Sequence, residues 1–290
     1  MTLANTFGRA DATLKLIYVN IAVFGLLKIV SILFTLFNFS SDFLLAFLAV
    51  PSSLLQLLLH IWTPFTYMFL HEGFFHLLFN MLCLYSFGKV FLVFFNEKQL
   101  IGLYLFGGLI AAGFYILAFN IFPYFSPYVP HGLLLGASGS VVAIIIAGAL
   151  KAPEMKMQLL FLGSISLKYI AIATVLMSFF GITSANGGGQ LAHLGGALAG
   201  YLFIVSLQKG KDLTKGFSFV VNGIYNLLSP RKLKVKPNPN ATYNRMSDAD
   251  FNMNKAKNMQ EIDKILDKIK SSGYESLTVD EKRKLFNQGK

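Results

Sequence analysis

Of the 290 residues, 54% are hydrophobic and only 13% charged, and the mean hydropathy is +0.58. Soluble domains carry roughly 25% charged residues, so a chain this poor in charge has most of its surface matched to a bilayer rather than to water. The formal charge of +11 favours a nucleic-acid partner only if its cations share one face, and the single cysteine, Cys83, excludes an internal disulfide framework.

In chain order, the first 15 residues carry no cleavage pattern closing a short apolar stretch, so no removable signal peptide is expected. Lys and Arg are then missing from 29–88, 99–150 and 169–208. Each gap holds two spans of ~20 residues and a turn. The connections between gaps carry the charge: Lys89, Glu97 and Lys98, then Lys151, Glu154 and Lys156. Cationic loops stay on the cytoplasmic side. The reading is therefore three hairpins, six spans and both termini in the cytoplasm.

The spans are expected near 16–37, 69–93, 99–122, 134–150, 167–183 and 189–208, with outer loops at 38–68, 123–133 and 184–188. The first outer loop is apolar enough to lie in the membrane interface. The expected fold class is an all-α membrane protein, a six-transmembrane-helix bundle with a short helical cytoplasmic tail. Its expected parts are a six-span membrane domain at 1–208, a basic juxtamembrane segment and linker at 209–255, and a small helical tail at 256–290.

Residues 209–290 hold 17 of the 25 Lys/Arg and 9 of the 14 Asp/Glu, a net +8. Most of the basic excess is thus a tail beside anionic lipid, which argues against a nucleic-acid groove. Within the tail, 235–250 reads as a linker. Met259, Ile262, Leu266 and Ile269 follow at helical spacing, Gly273 supplies a stop, and Thr278 with Glu281 supplies a capping box.

Polar groups inside a bilayer are functional candidates because burying them is costly. Ser138, in Gly136-Ala137-Ser138-Gly139, falls in the first turns of a span too short for a full crossing, behind a loop with Pro123, Pro127 and Pro130. Backbone N–H groups at such a helix start lack intrahelical partners and can face an oxyanion. His193 opens the sixth span, where Gly196 and Gly200 form a small-residue stripe that Gly139, Ala143 and Ala147 of the fourth span can meet. Ser138 and His193 each lie about four residues, or ~6 Å, below the outer ends of their helices. Close packing would put them within reach of each other. On the second span, His76 and Asn80 share a face and carry side-chain N–H donors, while His71 lies about 140° around the same helix in a supporting position.

These three sites together resemble the rhomboid intramembrane proteases over roughly residues 60–208. GASG at 136–139 is similar to the family's GxSG, AHLGGALAG at 192–200 to its AHxxGxxxG, and HEGFFHLLFN at 71–80 to its HxxxxHxxxN. The resemblance implies an intramembrane serine endopeptidase acting through a Ser138–His193 dyad near the outer membrane face. It also implies His76 and Asn80, with Gly136, around the oxyanion and substrate, supported by His71, Gly139, Gly196 and Gly200. The implied partners are transmembrane protein substrates and the lipid bilayer, in a bacterial inner (plasma) membrane. Neither cofactor nor metal is expected, and nothing in the sequence speaks to oligomeric state. Two positions depart from the family pattern. Trp62-Thr63 stands for its Trp-Arg, and Val142 for an aromatic that packs on the histidine.

The rivals are weaker. The histidines of His71-Glu72-x-x-x-His76 stand five apart rather than the four of a helical zinc site, and no Asp falls within a span for aspartyl chemistry. A non-enzyme alternative is a rhomboid-like protein that binds transmembrane clients without cutting them.

Overall fold

The computed structural model describes residues 10–159, 163–217 and 248–287, in two compact units, Met1–Lys232 and Leu233–Lys290. The first contains the membrane bundle. Its helices are α1 (Ala12–Leu36), α2 (Asp42–Leu48), α3 (Leu54–Leu59), α4 (Thr63–Thr66), α5 (Phe74–Phe94), α6 (Glu97–Ile121), α7 (Ser138–Lys151), α8 (Leu167–Phe180) and α9 (Gly187–Gln208). The second holds α10 (Asp248–Ser272) and α11 (Val279–Asn287). Among the described residues, four helices, α1, α5, α6 and α9, are long and apolar enough to cross a membrane, while α7 and α8 are shorter apolar helices.

The centre of the bundle is α7, which packs between α6 and α9 with α5 on a further side. Every residue from Gly139 to Ala149 is buried. A helix apolar on all faces has no solvent-facing stripe and belongs inside. It is only 14 residues long because Gly136, at φ +123°, cannot be helical, so the helix starts at Ser138 itself.

Among the described residues, two small antiparallel ladders tie the loops. β1 (Val50–Pro51) pairs with β2 (Leu133–Leu134) in the register Val50↔Leu134. Beside it, the Ser52 hydroxyl donates to Val129 O (2.9 Å) or Gly132 O (3.0 Å), and Asn120 Nδ2 donates to Ser52 O at 2.8 Å. The first loop is thus fastened to the loop before α7. β3 (Lys156–Leu159) and β4 (Gly163–Ser166) make a hairpin between α7 and α8, at a connection expected only to be short and charged.

Several boundaries shift from expectation. α5 begins at Phe74 rather than near 69, because Tyr67–Phe69 forms a 3-10 turn and Gly73 is extended (φ −151°, ψ 174°). His71 therefore precedes the helix, and its place around the helix axis has no meaning. α1 is buried only through its first turns, at Ala12, Thr13, Leu16, Ile17 and Asn20. Its later half, including Lys28 in contact with the Phe24 ring, stands clear of the bundle, where a lysine can run its stem along the apolar surface.

At the opposite end from the β1–β2 ladder, the turn Leu213–Phe217 packs on α6, and Gln99 Nε2 donates to Asp212 Oδ2 at 3.1 Å. Burial acts to raise the Asp212 pKa, but hydrogen bonds from Thr214 and Gln99 outweigh it and hold the carboxyl below its ordinary range.

In the second unit, α10 ends at Gly273 (φ +79°), and Thr278 with Glu281 forms the expected capping box, Thr278 N–H donating to Glu281 at 2.7 Å and Glu281 N–H to Thr278 Oγ1 at 3.3 Å. The expected apolar stripe is rotated. Ile265 and Leu277 are buried while Met259 and Leu266 are exposed, because α11 and the turn before it cover a different side of α10. The expected linker at 235–250 lies largely outside the described residues.

Candidate active site

The site is built on the start of α7, and that start is held from below by a relay of hydrogen bonds. Tyr67 OH donates to Gly108 O of α6 at 2.6 Å, and Gly136 N–H donates to Tyr67 O at 3.0 Å. Nearby, Tyr104 OH donates to Met68 O at 2.8 Å, and Asn20 Nδ2 reaches Leu16 O and Tyr104 OH. Every polar atom in this relay sits in a bundle where an unpaired group would be expensive. The relay fixes the height of Gly136 and hence of Ser138. The first α7 N–H to find a helical carbonyl is that of Val141, on Ala137 O at 3.0 Å. The N–H groups of Ser138, Gly139 and Ser140 precede it, the ordinary condition of a helix start.

Gly136 also brings His76 close. A Cβ at residue 136 would lie 3.0 Å from His76 Nε2 and 3.8 Å from Ser138 Oγ. The imidazole of α5 and the hydroxyl of α7 thus flank one glycine. His71, buried, sets its ring edge-on to His76 with centroids 5.2 Å apart. Asn80, one turn below His76, is also buried and donates through Nδ2 to His76 O at 2.9 Å. A primary amide has two N–H groups, so this bond leaves a second to donate.

His193 arrives from the opposite side on α9. A Cβ on Gly196 would run into the carbonyl of Gly139, and one on Gly200 into the carbonyl of Ala143. The α7 and α9 backbones are therefore in direct contact, at the residue after Ser138 on α7 and one turn from His193 on α9. Only glycine permits that approach. His193 sits six residues into α9, deeper than the expected four, because α9 begins at Gly187 behind the Asn186 cap.

Ser138, His193, His76, Asn80 and Glu72 all line one partly open cavity of about 910 Å³. Cys83, Val142, Thr174, Met177, Ser178 and Gln190 line it too. Among the described residues, Ser138 and His193 are not hydrogen-bonded to each other. Instead His193 Nδ1 lies 3.4 Å from Ser178 Oγ on α8. Nothing in the sequence singles out Ser178, because one serine in an apolar helix carries no special signal. Val142 is buried beside the site as expected of an aliphatic residue, and offers no ring to the imidazole.

Trp62, Thr63 and Thr66 anchor the first loop directly. Thr63 Oγ1 donates to His60 O (2.8 Å), Trp62 Nε1 to Phe47 O (2.8 Å) and Thr66 Oγ1 to Leu48 O (2.6 Å).

Comparison with known proteins agrees with this architecture. Residues 58–210 match the rhomboid domain, and residues 247–287 match a family of unknown function, DUF6576. The chain belongs to the rhomboid family and is a rhomboid-family membrane protein. It is similar to presenilin-associated rhomboid-like protein A, mitochondrial, of Danio rerio, at 30% identity over 139 residues. That match covers 47% of this chain and 35% of the relative, so the chain spans about a third of that protein's length.

Proposed function

We propose that the protein is an intramembrane serine endopeptidase that cleaves transmembrane-segment substrates. The observation that carries this reading is the convergence of Ser138, at the first residue of α7, with His193, His76 and Asn80 on one cavity, across a glycine seam joining α7 and α9.

In this reading His193 takes the Ser138 hydroxyl proton as Oγ attacks the scissile carbonyl. The new oxyanion is met by donors from two helices: Asn80 and His76 on α5, and the backbone N–H of Ser138 on α7. His193 then returns the proton to the leaving amine, and water, activated by the same imidazole, hydrolyses the acyl-enzyme. No third acidic member is needed. A client must offer an extended bond, so segments with weak helix propensity are the expected substrates. The placement of Lys and Arg supports cytoplasmic termini, with the cavity open toward the outer face of a bacterial plasma membrane.

The test is cleavage of a helix-destabilised transmembrane substrate by the pure protein in liposomes. The expected result is cleavage by the wild type and none by Ser138→Ala or His193→Ala, each alone removing the whole effect as members of one unit do. Undiminished cleavage by either variant would sink the dyad. Stable capture of the substrate by the wild type with no cleavage product would favour the client-binding alternative.

A further inference from the structure

α8 is 14 residues long, and only two of them, Leu167 and Ser178, are buried. Most of its large apolar side chains are exposed: Tyr169, Ile172, Leu176, Met177, Phe179 and Phe180. A serine is therefore one of the two most enclosed side chains on a helix rich in better hydrophobes, at 2% exposure. Burying a hydroxyl is unfavourable unless it is paired. The partner it meets is His193 Nδ1, at 3.4 Å.

From this we infer that Ser178 is a positioning residue for His193, a role that rests on the proteolytic reading of Ser138 and His193. A neutral imidazole carries one proton, and only the bare nitrogen accepts another. With Ser178 Oγ accepting from Nδ1–H, the Nε2 lone pair is left free to act as base toward Ser138. The contact also stops the ring from turning about its side-chain bonds. Val142 supplies no aromatic shelf for the ring, so a hydrogen bond from α8 takes over the task of holding it. This is the same division of labour by which an orienting group fixes the tautomer of a catalytic histidine elsewhere. Here the orienter is uncharged, which suits a site within a bundle.

The role makes three separable demands. Ser178→Ala is expected to lower kcat about tenfold, the value of one neutral hydrogen bond, with KM nearly unchanged. Ser178→Thr, which keeps the hydroxyl, is expected to restore most of that loss. The alanine variant's rate profile is expected to move along the pH axis relative to wild type, which a purely packing role would not do. A wild-type kcat with an unmoved pH profile in Ser178→Ala would overturn the proposal, as would a threonine variant no better than alanine.

A readout independent of cleavage separates this claim from the proteolytic one. In 15N-histidine-labelled, full-length Ser138→Ala protein, the His193 resonance, assigned by its loss in His193→Gln, is expected to report Nδ1–H. Adding Ser178→Ala is expected to shift it toward a mixture of tautomers. An unchanged tautomer overturns the positioning role whatever the fate of the protease reading. A shift in tautomer alongside an inactive wild type would uphold the contact and sink only the protease reading.

Discussion

α7 and α8 are both 14 residues long and both line the cavity, yet they are held in place in opposite ways. α7 is buried from Gly139 to Ala149 and touches α9 through backbone atoms at Gly196 and Gly200. α8 lies at the edge, buried only at Leu167 and Ser178. The difference shows how a membrane bundle can combine a fixed Ser138 with an accessible cavity. Ser138 rides on a helix whose position is set by incompressible backbone contact, and packed interiors transmit such constraint. The cavity wall on the α8 side has no comparable seam. What α8 contributes to order in the site is one hydroxyl facing His193.

The sharpest way to break this comparison is to wedge the α7–α9 seam. Gly196→Val would drive side-chain carbon into the Gly139 carbonyl, with backbone rather than a flexible side chain in the way. Loss of the folded bundle is expected, seen as aggregation or a collapsed thermal midpoint in detergent. The milder Gly196→Ala should cost at least the ~1–3 kcal/mol of ordinary overpacking. A variant as stable as wild type would show that the α7–α9 seam has room for a methyl group.

Next in size is the α5 wall. Under the proposed function, Asn80→Ala removes one oxyanion donor and should lower kcat about 100-fold with little change in KM. A loss confined to KM would reassign Asn80 to substrate binding.

Smaller still is the tether between α1 and the far end of α5, where Asp11 pairs with Lys89. Burial tends to raise the Asp11 pKa, but the hydrogen bond from Lys89 and the cap to Leu14 N–H outweigh it, so the folded value lies below the ordinary 3.8. For a carboxyl depressed on folding, the stabilisation is present above the unfolded value and is lost as pH falls through the folded one. Below about pH 4 the wild type should therefore lose stability that Asp11→Asn never had. The two midpoints should converge there, from a gap of at most about 1 kcal/mol near neutrality, because the pair is partly exposed.

The smallest effect is expected on the outer side of α8. Phe180 is 76% exposed, and Phe180→Ala should change stability by no more than about 0.5 kcal/mol. A large loss there would mean that α8 is held by more than Ser178 and Leu167.

The C-terminal unit offers a further contrast within the chain. Its capping box was legible because Thr278 and Glu281 act on backbone three residues away, a purely local matter. Its buried face was not, because Ile265 is chosen over Met259 by where α11 and the preceding turn lie.

The same division runs through the bundle. Composition, the gaps between Lys/Arg residues and the three motifs sufficed to indicate an all-α membrane protein of rhomboid type, because bilayer cost and motif spacing act on the residues themselves. Helix starts were less legible. α5 begins at Phe74 and α7 at Ser138, since a 3-10 turn, an extended Gly73 and a positive φ at Gly136 intervene. Depth therefore could not be counted from span boundaries, and His71 left the helix altogether. Only tertiary structure decided which groups meet. The Tyr67–Gly136 relay that sets Ser138's height joins residues 69 apart, and the Ser178 contact that faces His193 comes from a different helix. Residue type can announce a costly polar group in an apolar segment, but its partner is chosen by the packing of helices, where separation along the chain carries no information.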